Sequence, residues 1–209
     1  MNNLENIFVI KKPNTNKYKE KGSVFIGIAE KITSVTEANE VLQNIRKKYY
    51  DATHHCYAYK TLTEEKYSDD GEPNGTAGIR ILNAIHHYNL TNILIVVVRY
   101  YGGTKLGVGP LGKAYSHTAL SLLEKTEIIT LTKYNEIKIN YNYEDSSKIH
   151  HLLNKFGCKN IINGFTDQTP IITCFIEPNN LNKFSNALTE NTKGNAKIEI
   201  DTKPIFTAF

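Results

Sequence analysis

Apolar positions along the chain switch between a period of two and a period near 3.6, and each switch marks an element. Val24, Ile26 and Ile28 alternate with smaller residues, as in a strand packed on one face. Ahead of them, Lys11 to Lys21 holds five lysines, a proline and two asparagines, the make-up of an exposed loop between two strands. Ser34 and Glu37 have the S-x-x-E spacing of a capping box, so a helix is expected to start there. Val41, Leu42, Ile45 and Tyr49 then fall on one side, with Arg46, Lys47 and Lys48 mostly facing water at its end. His54 to Lys60 is aromatic and polar by turns and reads as a strand. Residues 61 to 75 are polar and rich in turn formers, and Ala77, Ile81, Ile85 and Tyr88 make the inner side of a second helix. Ile93 to Val98 is continuously apolar and β-branched, as in a central strand buried on both faces. After a glycine-rich turn, Pro110 suits the first position of a third helix, whose inner stripe is Leu111, Tyr115, Thr118, Ala119 and Leu122.

From about residue 130 the pattern restarts, with strand 134–143, helix 145–156, strands 159–165 and 170–177, helix 180–190 and strand 196–202. This β-α-β-β-α-β order is that of a ferredoxin-like sandwich. The expectation is an α+β protein of two domains, 1–128 and 129–209.

Hydrophobic residues at 40% and charged residues at 22% are globular values, which excludes a chain disordered throughout. The longest apolar run, Ile93 to Val98, falls far short of the roughly 20 residues a membrane-spanning helix needs. Glu5 sits where a secretory leader would carry positive charge, so a cytoplasmic location is expected. Cys56, Cys158 and Cys174 are odd in number and widely spaced, which suits a reducing compartment and argues against a disulfide framework or a structural zinc. The net charge of +4 admits a phosphate-bearing partner without requiring one. Neither half is strongly basic, with 16 basic and 13 acidic residues in 1–128 and 9 and 8 in the remainder.

Three segments can carry chemistry. The first is Arg99-Tyr100-Tyr101-Gly102-Gly103-Thr104-Lys105-Leu106-Gly107-Val108-Gly109-Pro110. Gly102, Gly103, Gly107 and Gly109 permit positive φ and let backbone N–H groups approach an anion, with a helix end, Arg99 and Lys105 adding charge. Alternatively, the glycines only allow a tight turn and close helix packing. The full Walker A spacing does not fit the segment. The second segment is Ser68 to Gly78, where Asp69, Asp70 and Glu72 can hold a hard cation, form a turn with Thr76 as helix cap, or pair with Arg99 or Lys105. The third is His54-His55-Cys56, in which His54 and Cys56 share one strand face and His55 the other. A Cys nucleophile activated by an adjacent His is poorly placed for proton transfer, and a half-buried polar strand is the ordinary expectation. His86-His87 and His150-His151 are expected on helix surfaces.

Together HHCYAY at 54–59, SDDGEPNGTAG at 68–78 and VVVRYYGGTKLGVGPLGKAY at 96–115 resemble the Impact family in its two-domain YigZ-like form. The resemblance covers most of residues 21–125. Two departures stand out. Lys21-Gly22-Ser23-Val24-Phe25 replaces a K-x-S-R-F run and so lacks a cation, and Pro110 stands where glycine is more usual. The resemblance implies an N-terminal domain like the second domain of ribosomal protein S5 and a C-terminal domain like the last domain of elongation factor G. It also implies a regulator of translation, since the eukaryotic relatives bind a partner of an initiation-factor kinase. The leading expectation is a non-enzymatic protein that contacts RNA or the ribosome through phosphates, needing no cofactor or metal. Tyr57, Tyr59, Tyr100 and Tyr101 can stack on unpaired bases, with at least one of Tyr100 and Tyr101 turned inward. The rivals are a phosphate-ligand or nucleotide-binding enzyme using residues 102–109, and a regulator that binds only a protein. No base and nucleophile stand at a recognisable catalytic spacing.

Overall fold

A computed structural model describes residues 4–166 and 169–209. They form two compact units: one is Phe8–Thr130, and the other is Leu131–Phe209 together with the residues up to Ile7. The class is mixed α and β with antiparallel sheets.

Along the first part of the chain run β1 (Asn6–Ile10), β2 (Asn14–Glu20), β3 (Ser23–Lys31), α1 (Val35–Lys48), β4 (His54–Lys60), β5 (Glu65–Ser68), α2 (Gly78–His87), β6 (Ile93–Tyr100) and α3 (Val108–Glu124). Strands β2 to β6 make one antiparallel sheet in the order β2-β3-β6-β4-β5. Strand β6 is central because both of its faces are apolar. Ile95 and Val97 join Phe25, Ile81, Ile85 and Leu122 in the core under α2 and α3. Leu94, Val96 and Val98 join Leu42 and Ile45 in a second core under α1. Helices on both sides of the sheet also change β3, which was expected to pack on one face. Phe25 and Ala29 serve one core and Ile28 the other.

The lysine-rich segment before β3 is a strand and not a loop. In β2 exposed Thr15, Lys17 and Lys19 alternate with half-buried Asn16 and Tyr18. Asn16 Nδ2 donates to Thr118 O and Ser121 Oγ, both at 2.9 Å. Charged side chains on the outer positions suit a sheet edge, where they discourage pairing with other chains. Lys21 and Gly22 take φ of 43° and 80° in a two-residue hairpin turn, which requires positive φ at both places. Within the expected polar turn of residues 61–75, Glu65–Ser68 pairs with β4 as the opposite edge. Helix α1 starts as its sequence demands: Ser34 Oγ accepts from Glu37 N–H at 3.2 Å, and the Glu37 carboxylate accepts from Thr33 N–H at 2.7 Å.

The second unit continues with β7 (Ile128–Asn140), a short 3-10 turn at Tyr143–Asp145, α4 (Ser146–Lys155), β8 (Lys159–Phe165), β9 (Pro170–Ile176), α5 (Pro178–Thr192), β10 (Lys197–Ile200) and β11 (Ile205–Thr207). Its strands lie in the order β10-β7-β9-β8, with β11 also paired to β7. Ile137, Ile139, Ile172, Cys174 and Ile176 occupy alternate strand positions, and all face a core closed by Leu152 and Leu153 of α4 and Phe184 and Leu188 of α5. Among the described residues no helix is long and apolar enough to cross a membrane.

Replacing Ser34 by Ala removes the cap of α1 and should lower the unfolding free energy by about 1 kcal/mol in urea denaturation, with the slope unchanged. An unchanged midpoint would show that the cap contributes nothing to stability.

Candidate functional site

Arg99 is the second-last residue of β6. Strand alternation places it on the face that carries Ile95 and Val97, so its guanidinium enters the α2/α3 core and is only 5% exposed. A buried cation requires a partner, since the desolvation cost of an isolated charge is several kcal/mol. Glu72, from the loop between β5 and α2, supplies it: Arg99 Nη1 donates to Glu72 Oε1 at 2.6 Å. Tyr115 of α3 donates its hydroxyl to the same oxygen at 2.7 Å, and Arg99 Nη2 donates to Ser23 Oγ at 3.3 Å. The guanidinium lies over the rings of Phe25 and Tyr101, 5.4 Å and 5.6 Å from their centroids. Two segments far apart in sequence are thereby fastened together.

The three carboxylates of the acidic turn diverge. Asp69 accepts from the N–H groups of Gly75, Ala77 and Gly78 at 2.8–2.9 Å. It therefore caps α2, a role expected of Thr76, whose hydroxyl instead donates to Pro73 O at 2.6 Å. Asp70, with φ of 44°, accepts from Arg46 Nη2 at 2.8 Å and from His55 N–H at 2.7 Å. Glu72 alone of the three turns toward Arg99. Among the described residues no three His, Cys, Asp or Glu side chains are grouped as metal ligands.

His54 and His55 point to opposite sides of β4. His54 Nδ1 donates to Asp70 O at 2.8 Å, which leaves Nε2 3.8 Å from Glu72 Oε2. His55 is buried toward α1, where its Nε2 donates to Tyr49 O at 3.0 Å, and it takes no part in the site. Cys56 Sγ lies 2.9 Å from Asp69 O and 3.3 Å from Tyr115 Oη. Burial above all, with Glu72, Asp70 and Asp69 nearby, pushes the Cys56 thiol well above its ordinary range, which opposes the thiolate that a nucleophile needs. Burial, then Cys56 and Glu72, also raises Tyr115 and keeps its hydroxyl a donor.

The glycines of the turn divide into two kinds. Gly102 is there for packing: a Cβ would come 1.9 Å from the Gly22 carbonyl carbon, and its N–H donates to Ser23 Oγ at 3.2 Å. Gly103 and Gly107 both take φ of 83°, and a Cβ at Gly103 or Gly109 would meet nothing within 4 Å. Helix α3 starts at Val108, two residues ahead of the expected Pro110, with Gly107 at the cap. The first N–H bonded back within this helix is that of Leu111, to Gly107 O at 3.0 Å. Among the described residues nothing accepts from the N–H groups of residues 103–109. Lys105 likewise has no carboxylate within ion-pair distance there.

These groups surround one cavity of about 470 Å³ lined by His54, Glu72, Pro73, Arg99, Tyr101, Lys105, Leu106, Gly107, Val108 and Leu111. Of the residues singled out from sequence, it unites His54, Glu72, Arg99, Lys105 and Gly107, with Gly103 and Gly109 flanking it in the chain. It leaves out His55, Asp69, Asp70 and Gly102. Of the four tyrosines considered for stacking, only Tyr101 lines it. Tyr59 is buried with its hydroxyl on Glu64, Tyr100 bonds Asp51 and Tyr57 packs toward α1. Sequence reasoning gave no role in the site to Pro73, Leu106 and Val108, and placed Leu111 and Tyr115 only in a core. A buried tyrosine hydroxyl needing a partner was the available signal for Tyr115.

Fold and cavity thus define a mixed α and β domain, its sheet antiparallel, in which the end of a central strand, an acidic loop and a helix start meet. Residues 21–123 match the model of the Impact N-terminal domain. The chain is 30% identical over 201 residues to IMPACT family member YvyE of Bacillus subtilis, spanning 94% of this chain and 91% of that protein. It is 30% identical over 183 residues to IMPACT family member YigZ of Escherichia coli, spanning 85% and 89%. Protein IMPACT of Rattus norvegicus matches over 96 residues at 33% identity, 42% of this chain and 30% of that protein. A solved structure described as a hypothetical protein superposes with a TM-score of 0.67 at 28% identity, covering 93% of this chain and 97% of that one. The chain belongs to the Impact family.

Glu72→Ala leaves Arg99 buried without its carboxylate and should cost about 3–5 kcal/mol in urea denaturation. The double change Glu72→Leu with Arg99→Met removes both charges and should cost less than Glu72→Ala alone. A Glu72→Ala protein as stable as the parent would mean that water already reaches the guanidinium.

Proposed function

We propose that this protein is a translation-associated regulator that contacts RNA or the ribosome through the cavity at the start of α3, without catalysis, in the cytoplasm. One observation carries the proposal: among the described residues the N–H groups of residues 103–109 have no acceptor, and they lie beside Lys105 and the positive end of α3. Glu72 cancels the charge of Arg99, so attraction for an anion comes from Lys105 and those amides. Phosphate oxygens of a nucleic acid suit such donors. Two likenesses accompany the proposal. The helical layers and sheet of Phe8–Thr130 fit a ribosomal protein S5 domain 2 architecture. The β-α-β-β-α-β order, with strands in the sequence β10-β7-β9-β8, fits a ferredoxin-like domain as at the end of elongation factor G. Membership of the Impact family, a resemblance that implies a regulator of translation, supports translational control as the setting.

Co-sedimentation with ribosomes and binding to short RNA should be strongest at low salt and fall steeply as salt rises. Lys105→Ala should weaken binding to every RNA alike and reduce the log–log salt slope by about one. No association at low salt would overturn the proposal. A rise in melting temperature with nucleotide and Mg²⁺, without RNA binding, would place the protein among enzymes instead. Capture of a protein partner that survives nuclease treatment, again without RNA binding, would make it a protein-binding regulator.

A further inference from the structure

We infer that the cavity takes a single unpaired nucleotide of an RNA strand, its base stacked on Tyr101 and its phosphate held at Lys105 and the start of α3. This rests on the RNA contact proposed above and adds what part of the RNA is held.

The walls of the cavity are unlike a surface that only follows a phosphate backbone. Leu106, Leu111 and Pro73 give it an apolar lining, and Leu106 and Leu111 are themselves buried. A phosphate has no use for such a lining, whereas the face of a base does. Tyr101 supplies the aromatic surface. The residue is 46% exposed, Arg99 lies over its ring at 5.6 Å, and its backbone N–H is anchored to Thr53 Oγ1 at 3.1 Å. A ring backed by a guanidinium and exposed elsewhere is a stacking platform held in place before any ligand arrives.

Polar groups stand where a base edge and a phosphate would need them. Glu72 Oε2 and His54 Nε2 face each other across 3.8 Å and neither is paired with the other at hydrogen-bond distance. The Glu72 carboxylate can accept from an amino or imino group on a base edge. Arg99 Nε is buried and among the described residues has no hydrogen-bond acceptor, although the side chain lines the cavity. Lys105 and the unbonded amides of Val108 and Gly109 are available to a phosphate.

Size decides between paired and unpaired RNA. A volume of about 470 Å³ lies in the lower part of the range for small-ligand pockets and accommodates one nucleotide. A duplex keeps its bases stacked inside the helix and cannot place one here, while a single strand can turn one out.

Binding of a fluorescent eight-nucleotide oligouridine, the same strand annealed to its complement, and free uridine monophosphate should be compared by anisotropy and competition at low salt. The single strand should bind at least tenfold more tightly than the duplex. Tyr101→Ala should weaken the single strand about tenfold and leave the duplex unchanged, while Tyr101→Phe should bind like the parent. Tyr101 is half exposed, and an unchanged thermal melt of both variants would show that folding is intact. Equal binding of single strand and duplex, with Tyr101→Ala indistinguishable from the parent, would overturn the slot while leaving phosphate contact standing. Binding of uridine monophosphate without any binding of the single strand would overturn the slot and the RNA contact together.

Discussion

The arrangement around the cavity depends on burying one cation, Arg99. The central strand that carries it is covered by helices on both sides, and strand alternation turns Arg99 into the core under α2 and α3. Once inside, the guanidinium must find a carboxylate, hydrogen-bond acceptors and polarisable rings, because an uncompensated buried charge would cost several kcal/mol. Glu72, Ser23, Phe25 and Tyr101 meet that demand at the Nη atoms and the guanidinium face, while Nε has no acceptor among the described residues. In doing so they fix the acidic loop, the start of β3 and the end of β6 relative to α3, whose Tyr115 shares the Glu72 oxygen. The site is assembled by a charge-compensation requirement.

The surrounding loops are held by the same economy of donors and acceptors. Asp69 consumes three amides at the start of α2, and Ser23 consumes the amide of Gly102. The start of α3 has no such side chain: Gly107 caps it with no side-chain oxygen, and Pro110 removes one N–H from the first turn. The starts of α1 and α2 are satisfied from within, whereas among the described residues nothing accepts from the first amides of α3. The proposed contact at α3 rests on that contrast with α2 more than on the count of glycines.

Much of the fold was legible because its signals are local. The Ser34 cap, the alternation in His54–Lys60, the β-branched run of β6 and the second β-α-β-β-α-β array each lie within a few residues of the element they specify. The edge strand β2 was hidden because lysines on its exposed positions imitate a loop, and its inward residues are Asn16 and Tyr18 where aliphatics would have signalled a strand. Of the site, the residue types were visible but their partners were not. Asp69, Asp70 and Glu72 are equivalent in sequence, and only the fold sends one to an amide cluster, one to Arg46 and one to Arg99. Gly102 and Gly103 are likewise adjacent and indistinguishable in the chain, yet one is pressed against Gly22 and the other is open.

The central claim is that the amides of residues 103–109, set beside the buried Arg99–Glu72 pair, are the groups that receive a negatively charged partner. Two-dimensional ¹H–¹⁵N NMR of the full chain during titration with a short single-stranded RNA tests it most directly. The account predicts the largest shifts, downfield in the proton dimension, at Gly103, Val108 and Gly109, with Gly102 and Ala77 nearly still because Ser23 and Asp69 already hold them. Shifts spread over other surfaces, with the start of α3 unmoved at saturation, would contradict it.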